Sequence, residues 1–315
     1  MINLFNIENY KIDTNKFNHV LHDSGVNDFE NTIAKYVGAK YACGVSSATN
    51  AIFLSMLNKN TTVNIPSMIP PVVANAIITS RNQINFIDNT EWVGDSYILH
   101  EFENYKIIDS AQKLERHQFI KEANDEDLMI FSFYPTKPVG SIDGGMVVSN
   151  DKKKIDWFRE ATLNGMSFAK NNWDRRIKFP GYKMYLNSVQ AYVANENFKK
   201  YEEKLSNLKM IRKIYNSEFG LKNTSSHLYR IPVYNNLEIS KKLAKVGISS
   251  GIHYECLHQN YVYARERFEY GFTTNNLPKS DEASGKVLSI PFHEKLSEIE
   301  IEKIIKEVRK HVQVS

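Results

Sequence analysis

Hydrophobic residues follow two alternating patterns along the chain. Short apolar runs, of the kind found in buried strands, are followed by segments in which apolar residues recur every three or four positions, as on the buried face of a helix. The runs predict strands at residues 41–45, 62–65, 84–88, 96–99, 105–109, 128–134 and 146–149. The helical patterns fall at residues 26–37, 51–57, 72–79 and 155–163. This alternation predicts an α/β fold with a mostly parallel sheet and helices on both of its faces.

The pattern changes in the second half of the chain. Residues 187–219 form one long helical pattern with room for a single break. Beyond it, short strands are mixed with helices, which is typical of a small α+β domain. The strands are predicted at residues 228–233, 251–254 and 287–290, and the helices at residues 237–246 and 297–312. We therefore predict a large α/β domain over residues 1–195 and a small C-terminal α+β domain over residues 196–315.

A loop rich in proline and glycine separates the predicted strands 128–134 and 146–149. Its residues 135–145 include two prolines and three glycines, which break regular structure and let the backbone approach a neighbour closely. Lys137 stands at the tip of this loop. A lysine in a loop is usually a solvated charge. The alternative is a Schiff-base lysine, whose amine becomes nucleophilic when burial and a neighbouring charge lower its pKa.

Two further polar segments follow predicted strands. Residues 46–50, Ser-Ser-Ala-Thr-Asn, precede a helix; they either bind an anion with the turn amides and the helix dipole, or simply cap the helix through Ser47 or Thr49. Asp109 ends a strand, where a carboxylate caps a helix, forms an ion pair or holds the protonated ring nitrogen of a pyridine cofactor. Ligands of parallel α/β sheets bind beyond the carboxyl ends of the strands. A phosphate-binding turn, an aspartate and Lys137, in this order, suit such a cofactor.

Composition excludes several classes of protein. The 315 residues are 42% hydrophobic and 24% charged, with 40 basic and 36 acidic side chains, which is ordinary globular composition. Basic runs such as residues 152–154 are short, so we expect no nucleic-acid partner. Two cysteines, Cys43 and Cys256, cannot form a disulfide framework and indicate a cytoplasmic protein. Neither a signal peptide nor an apolar run of about 20 residues is found, so we expect no membrane association. We also expect no metal site.

Seven segments together resemble the DegT/DnrJ/EryC1/StrS aminotransferases. These are enzymes that use pyridoxal phosphate (PLP), have the aspartate-aminotransferase fold (fold type I) and mostly act on nucleotide-linked keto-sugars. The resemblance runs from about Gly25 to the C-terminus. In family order the segments are GVSSATNAIFL, NIPSMIPPVVANAI, IIDSAQ, FSFYPTKPVGSIDGGMVVSND, FPGYKMYLNSVQA, GIHYECLHQNYVY and LSIPFHEKL. The lysine loop is the most specific of them, because it is close to the family pattern F-S-F-x-x-x-K followed by G-D-G-G.

The resemblance implies a PLP-dependent aminotransferase. It would move an amino group from an amino acid to a nucleotide-linked keto-sugar in amino-sugar or polysaccharide biosynthesis. The usual amino donor in the family is L-glutamate. Lys137 would be the catalytic Schiff-base lysine and Asp109 the partner of the pyridine nitrogen. The implied cofactor contacts are Ser47, Ala48, Thr49, Asp109, Gln112, Ser132, Lys137 and Lys183. The implied substrate contacts are Tyr134, His253, Tyr254 and His258. The enzyme would be a homodimer with shared active sites, in which Lys183 reaches the partner's phosphate.

The chain departs from the family pattern at several positions. Met68 and Pro70 stand where the family has aromatic residues, so the residue that stacks on the PLP ring is missing or supplied elsewhere. Lys183 replaces an asparagine, and the segment from Asp88 to Asp109 is much shorter than in most members. Two other functions stay open on these grounds. One is a PLP-dependent sugar dehydratase, against which Lys137 argues because those relatives carry histidine there; the other is a non-catalytic PLP- or sugar-binding regulatory protein.

Overall fold

The computed structural model describes residues 1–312 of the chain, apart from residues 9, 11, 18, 22, 168–173 and 264–275. Within these residues the strands are β1 Tyr41–Val45, β2 Thr62–Pro66, β3 Gln83–Ile87, β4 Tyr97–Glu101, β5 Lys106–Asp109, β6 Leu128–Ser132, β7 Gly145–Ser149, β8 Tyr229–Pro232 and β9 Val287–Ile290. The α-helices are α1 Ser24–Val37, α2 Ala48–Met56, α3 Pro71–Thr79, α4 Gln118–Glu122, α5 Lys152–Thr162, α6 Ser188–Lys199, α7 Tyr201–Phe219, α8 Asn236–Lys245, α9 Pro278–Lys286 and α10 Glu298–Val308. Short 3₁₀ helices occur at Thr14–Lys16 and Leu257–Gln259.

The central sheet is mixed rather than mostly parallel, which corrects that part of the predicted fold. Five strands are hydrogen-bonded in the order β1-β7-β6-β5-β4, and the parallel pair β2-β3 continues the layer, with β2 in contact with β4. Strands β5 and β6 are parallel, but β7 runs antiparallel to both β1 and β6, and β4 runs antiparallel to β5. The reason is the length of the connections. Residues 102–105 between β4 and β5 are too few for the crossover that parallel strands need.

Helices cover both faces of this sheet. Adjacent residues of a strand point to opposite faces, and they accordingly belong to different cores. Cys43 and Val147 lie in the core beneath α2, α3 and α5, whereas Ala42 and Val148 lie in the core beneath α1 and α6. The α/β architecture predicted from the hydrophobic pattern is confirmed by this arrangement.

The helix ends follow from local sequence. Asp23 caps α1 by accepting a hydrogen bond from the Gly25 amide, and Gly38 ends the helix in the left-handed region at φ 83°. Asn187 and Gln190 form a capping box at the start of α6. These signals fix the two helices that pack together on one face of the sheet, and they place β1 and the segment before α6 side by side.

A third core lies in the C-terminal region. It joins α7, α8 and α10 to the antiparallel pair β8-β9, and Ile2 from the N-terminal segment completes it. The predicted long helix is indeed broken once, at Lys200 between α6 and α7. Residues of α6 pack in the sheet cores, whereas Leu208 and later residues of α7 pack in the third core. The predicted division near residue 195 stays a proposal.

One predicted strand is absent. Residues 251–254 contribute only an isolated bridge between Gly251 and Ser289. The chain then leaves β9: His253 bonds the Ser289 hydroxyl, whereas Tyr254 accepts a hydrogen bond from Gln112, which follows β5. Among the helices of the described residues, none combines the length and apolarity that a membrane span requires.

Candidate active site

A cavity of about 440 Å³ opens where β1, β5 and β6 end. Its walls come from the turn after β1, the segment after β5 and the loop between β6 and β7. The residues that line it are Ser47, Ala48, Thr49, Ile52, Pro70, Val72, Val73, Trp92, Asp95, Asp109, Ala111, Gln112, Ser132, Tyr134, Thr136, Lys137 and Asp143. Eight of the predicted site residues are therefore brought together: Ser47, Ala48, Thr49, Asp109, Gln112, Ser132, Tyr134 and Lys137.

The turn after β1 presents the N-terminus of α2 to the cavity. Ser47 caps the helix by accepting a hydrogen bond from the Asn50 amide at 3.2 Å, and Asn50 in turn donates to the Ser46 hydroxyl at 2.8 Å. The capping alternative is therefore confirmed for Ser47. Anion binding at this turn stays a prediction, although Ser47, Ala48 and Thr49 at the start of α2 line the cavity. A helix N-terminus favours an anion.

Glycine brings β7 against this turn. A Cβ atom at Gly145 would lie 2.5 Å from the amide nitrogen of Ala48, closer than real side chains come. Within the lysine loop, a Cβ atom at Gly140 would meet the Pro135 carbonyl oxygen at 2.4 Å. These two close approaches explain why the loop needs glycine at both positions, and Lys137 of this loop lines the same cavity as the turn.

Lys137 is partly buried and sits in a tight turn, in which its amide donates to the Tyr134 carbonyl oxygen at 2.8 Å. Burial lowers the pKa of its amine from 10.5 to about 8, although the nearby Asp109 carboxylate raises it. The amine therefore loses its proton at a much lower pH than a solvated lysine does, and a minority of it is already neutral near physiological pH. This is the condition that a nucleophilic or proton-transferring lysine needs, and it differs from the solvated charge that a loop lysine usually is.

Asp109 is buried at the end of β5. Its Oδ1 accepts from the Ala111 amide at 2.9 Å, and its Oδ2 accepts from the Tyr97 hydroxyl at 3.0 Å. Burial raises the pKa of the carboxyl, while the two hydrogen bonds and the charge of Lys137 lower it. The carboxylate is thus aimed by two donors from different elements, and it still has lone pairs for a cationic partner in the cavity.

Gln112 is fixed from both ends. Its Oε1 accepts from the Gly94 amide at 2.8 Å, and its Nε2 donates to the Tyr254 hydroxyl at 2.9 Å. Tyr254, predicted as a substrate contact, therefore meets the site through Gln112 and is not among the described residues that line the cavity. The bond joins the C-terminal region to the sheet at the cavity.

His253 and His258, also predicted as substrate contacts, are held elsewhere in this structure. His253 Nδ1 bonds the Ser289 hydroxyl at 2.9 Å, and burial together with the charge of Lys137 lowers its pKa to about 4. His258 Nδ1 lies 2.6 Å from the Ser67 hydroxyl oxygen, and its Nε2 lies 3.1 Å from Asp281 Oδ1. Neither histidine belongs to the described cavity lining, so their substrate contacts stay predictions.

The group of Ser67, His258 and Asp281 has the side chains of a nucleophilic triad but not its exposure. Ser67 is completely buried and also accepts a hydrogen bond from the His258 amide at 3.3 Å. A substrate cannot reach a hydroxyl in that position. We interpret the three residues as a structural hydrogen-bonded group, which holds the segment after residue 255 against the end of β2 and against α9.

Lys183 lies on the surface, where it forms an isolated bridge with Leu163. It is not part of the cavity lining within the described residues of this chain. An exposed position is what a contact to a second subunit requires, and the predicted contact in trans stays a prediction.

Trp92, Asp95 and Asp143 are among the lining residues that sequence reasoning did not assign to the site. Trp92 and Asp95 come from the short segment between β3 and β4, in which no motif stands out. Asp143 belongs to the lysine loop, in which the motif around Gly144 and Gly145 explains the backbone but assigns no function to the carboxylate. Burial raises the pKa of the Asp143 carboxyl, whose Oδ1 accepts from the Gly144 amide at 2.8 Å.

Comparison with known proteins assigns the chain to a family. The model of the DegT/DnrJ/EryC1/StrS aminotransferase family matches residues 8–93 and 107–309, which is most of the chain. The chain belongs to this family. The unmatched residues 94–106 lie in the segment that the sequence already marked as short. The predicted class of enzyme, an aminotransferase, is confirmed with it.

Individual relatives agree with this assignment. A UDP-4-amino-4,6-dideoxy-N-acetyl-beta-L-altrosamine transaminase of Campylobacter jejuni is 26% identical, with 86% of this chain and 85% of that protein covered. The crystal structure of the aminotransferase TlmJ from Streptoalloteichus hindustanus superposes with a TM-score of 0.81 at 20% identity over 98% of both chains. The PLP form of a putative sugar aminotransferase from Streptococcus pneumoniae gives a TM-score of 0.78 at 18% identity over 97% of both chains. The predicted fold type I is thereby confirmed for this member of the DegT/DnrJ/EryC1/StrS family.

Proposed function

We propose that this protein is a PLP-dependent aminotransferase that moves the amino group of an amino acid, L-glutamate by family habit, to a nucleotide-linked keto-sugar. The observation that carries the proposal is the convergence of a helix N-terminus, a buried aspartate and a lysine of lowered pKa on one cavity. Family membership supports the reaction, and the named transaminase relative supports a nucleotide-linked sugar as the amino acceptor.

The donor set of the cavity fits PLP. The turn of residues 46–50 offers hydroxyls and the N-terminus of α2, and Ser132 lines the same cavity; a phosphate dianion suits these groups. Asp109 offers a buried carboxylate to a protonated ring nitrogen. Lys137 lines the same cavity and would be the residue to which the cofactor attaches.

Bound PLP would supply an electron sink that stabilises negative charge at the carbon next to the amino group. Residues of the chain would control the charge of the ring and move the protons. Asp109 keeps the ring nitrogen protonated, because a buried carboxylate held by two donors favours a positive partner. Lys137 Nζ, neutral in large part above pH 8, removes the proton from the α-carbon of the amino-acid donor. In the second half of the reaction Lys137 returns a proton to the sugar carbon that becomes aminated.

Tyr134 and Asp143 lie at the cavity wall near Lys137 and are placed to meet the substrates. Tyr134 is largely exposed, as expected of a residue that contacts a large, solvated nucleotide-linked sugar. His253, Tyr254 and His258 belong to the segment that the resemblance assigns to substrate binding. Tyr254 touches Gln112 of the cavity and is the best placed of the three.

We further propose a homodimer in which Lys183 completes the phosphate site of the partner subunit. Lys183 is exposed in the single chain, and the matching family position reaches across the dimer. A lysine brings a point charge, which suits a phosphate dianion. A pathway of amino-sugar or polysaccharide biosynthesis is the setting that such a product implies.

Mass spectrometry tests the function directly. Purified protein loaded with PLP is mixed with ¹⁵N-labelled L-glutamate and, one by one, with UDP-, dTDP-, GDP- and CDP-linked keto-sugars. We expect ¹⁵N to appear in one sugar product and 2-oxoglutarate to accumulate in equal amount. Release of water from the sugar without nitrogen transfer would instead identify a dehydratase. Binding of PLP with no turnover of any donor or acceptor would favour a regulatory protein.

A further inference from the structure

The family position that normally supplies an aromatic contact to the cofactor ring carries no aromatic side chain in this protein. Pro70 occupies that part of the cavity wall, followed by Val72 and Val73. Met68, the other replaced position, is completely buried and is not part of the described lining. A planar ring bound beside Asp109 would therefore meet only aliphatic groups from α3.

Trp92 brings an aromatic surface to the same cavity from a different segment. It lies in the short connection between β3 and β4, next to the residues that the family model does not match. Only 6% of its surface is exposed. Tyr134 is the other aromatic residue among the described lining residues, but it is 53% exposed at the rim.

Three contacts hold the indole of Trp92 in one orientation. Its Nε1 donates to the Met68 carbonyl oxygen at 3.2 Å, so it is tied to the backbone of a position where the family aromatic is missing. One face stacks on Tyr254, with ring centroids 6.0 Å apart and planes within 7° of parallel. Tyr97 packs against it at 4.8 Å. A rigid aromatic side chain gives contact area at a low cost in conformational entropy.

The turn that carries Trp92 is itself locked to the site. The Gly94 amide donates to Gln112 Oε1 at 2.8 Å, and φ at Gly94 is 93°. A Cβ atom there would lie 2.5 Å from the Ser225 hydroxyl oxygen, so the turn requires glycine. Gln112 thus holds both the turn that follows Trp92 and Tyr254, on which the indole stacks.

The indole also lies on the Asp109 side of the cavity. Tyr97, which packs on Trp92, donates the hydrogen bond to Asp109 Oδ2. A ring nitrogen that Asp109 keeps protonated makes the bound ring cationic, and the face of tryptophan is the best aromatic partner for a cation. The small Ala111 side chain on the same cavity wall leaves room for a ring.

We propose that Trp92 replaces the missing family aromatic and forms the surface against which the pyridine ring of the cofactor packs. The shortened segment between β3 and β4 then has a function: it turns back early and places Trp92 in the cavity. This inference rests on the proposed use of PLP, and its test separates the two.

Tryptophan fluorescence provides the test. The chain has three tryptophans, of which the structure describes Trp92 and Trp157. Trp157 stacks on Phe179 and lines a separate cavity of about 390 Å³, so Trp157→Phe is a matched control. PLP added to the cofactor-free protein should quench Trp92 most strongly, since a ring in van der Waals contact with the indole quenches it directly, in addition to the energy transfer that reaches every tryptophan. Wild type and Trp157→Phe should therefore show a large drop in emission, and Trp92→Phe a clearly smaller one.

Affinity gives a second, independent measurement. Equilibrium dialysis of cofactor-free protein against PLP should show about three- to tenfold weaker binding by Trp92→Leu, with Trp92→Phe in between, which is the size expected for loss of an aromatic contact. Circular dichroism and thermal unfolding of the cofactor-free variants check that they fold. If wild type itself binds no PLP, the proposed function fails. If PLP binds and both Trp92 variants match wild type in affinity and quenching, the inference about Trp92 is wrong.

Discussion

Tyr97 donates a hydrogen bond to the buried carboxylate of Asp109 across 3.0 Å. The two residues come from neighbouring antiparallel strands and pair directly in the register of β4 and β5. The hydroxyl therefore stabilises the charged form of Asp109, and it helps to offset the burial that raises the pKa of that carboxyl.

Substitutions at this pair should act through charge. Asp109→Asn removes the partner of the ring nitrogen, and we expect the amino-acid half-reaction to slow at least about 100-fold, as for other major electrostatic stabilisers. Tyr97→Phe leaves the carboxylate but removes a donor, so the pKa of Asp109 should rise further. The acidic limb of the pH profile of kcat/KM should then move to higher pH in Tyr97→Phe. An unchanged acidic limb would show that Tyr97 only fills space.

Lys137 should carry the cofactor. Reduction of the PLP-loaded protein with borohydride, followed by peptide mapping, should place the pyridoxyl mass on Lys137. Lys137→Ala should lose transamination while keeping its fold, as judged by circular dichroism. Lys152→Ala, a substitution on the exposed start of α5, is the matched control and should keep wild-type activity. A label on any other lysine would refute the assignment.

The lowered pKa of Lys137 gives a prediction for the cofactor-free protein. Burial holds the pKa near 8, below the ordinary 10.5, so the neutral amine should form as pH rises through about 8. The Asp109 charge raises this pKa, so Asp109→Asn should move the midpoint below 8. The rate at which trinitrobenzenesulfonate modifies Lys137, measured by mass spectrometry between pH 6 and 11, reports both midpoints. Exposed lysines in the same digest control for the reagent. A midpoint near 10.5 in wild type would contradict the burial argument.

The sequence predicted which residues converge on the cavity better than it predicted the directions of the strands. Lys137, Asp109 and the turn at Ser47 were found because each chemical group follows a recognisable strand end. Strand directions were not readable, because a run such as that of β4 looks the same in a parallel and an antiparallel pair. The hydrophobic pattern alone predicted an α/β fold, and the family resemblance specified which α/β fold it is.

The positions of Trp92 and of the two histidines could not be predicted from the sequence. Trp92 enters the cavity through a turn whose shape depends on contacts of Gly94 with Gln112 and Ser225, which are far apart in sequence. The contacts of His258 with Ser67 and Asp281 are likewise absent from its sequence motif, and its predicted substrate contact stays a prediction. Such partners are set by tertiary packing, and no local pattern encodes them.

Gly145 should be indispensable for the phosphate turn. An alanine Cβ there would collide with the Ala48 amide at 2.5 Å, so Gly145→Ala must push β7 or the start of α2 aside. We expect a loss of about 1–3 kcal/mol in the free energy of unfolding, the usual cost of overpacking, together with weaker PLP binding. Gly285→Ala is the control, because nothing lies within 4 Å of its added Cβ. Urea unfolding and dialysis against PLP measure the two effects. Equal stability of both variants would rule out the proposed close approach.

Lys183 should complete the site of a partner subunit. If it does, Lys183→Ala should weaken PLP retention by about 1.5–3 kcal/mol, the usual size for a hydrogen bond to a charged group. Lys40, in the turn that leads into β1, is an exposed lysine outside the site, and Lys40→Ala should leave retention unchanged. Dialysis of the loaded proteins at one fixed subunit concentration measures the difference.

Complementation then distinguishes a contact in trans from a contact in cis. A dimer of one Lys137→Ala subunit and one Lys183→Ala subunit contains one site with both lysines intact, provided that Lys183 serves the partner. Mixing the two impaired proteins should therefore restore part of the activity. Subunit exchange is verified by mass spectrometry of differently tagged chains, because only exchanged dimers can complement. Hybrid dimers without recovered activity would place Lys183 outside the partner's site, and a monomer in sedimentation would exclude the shared site altogether.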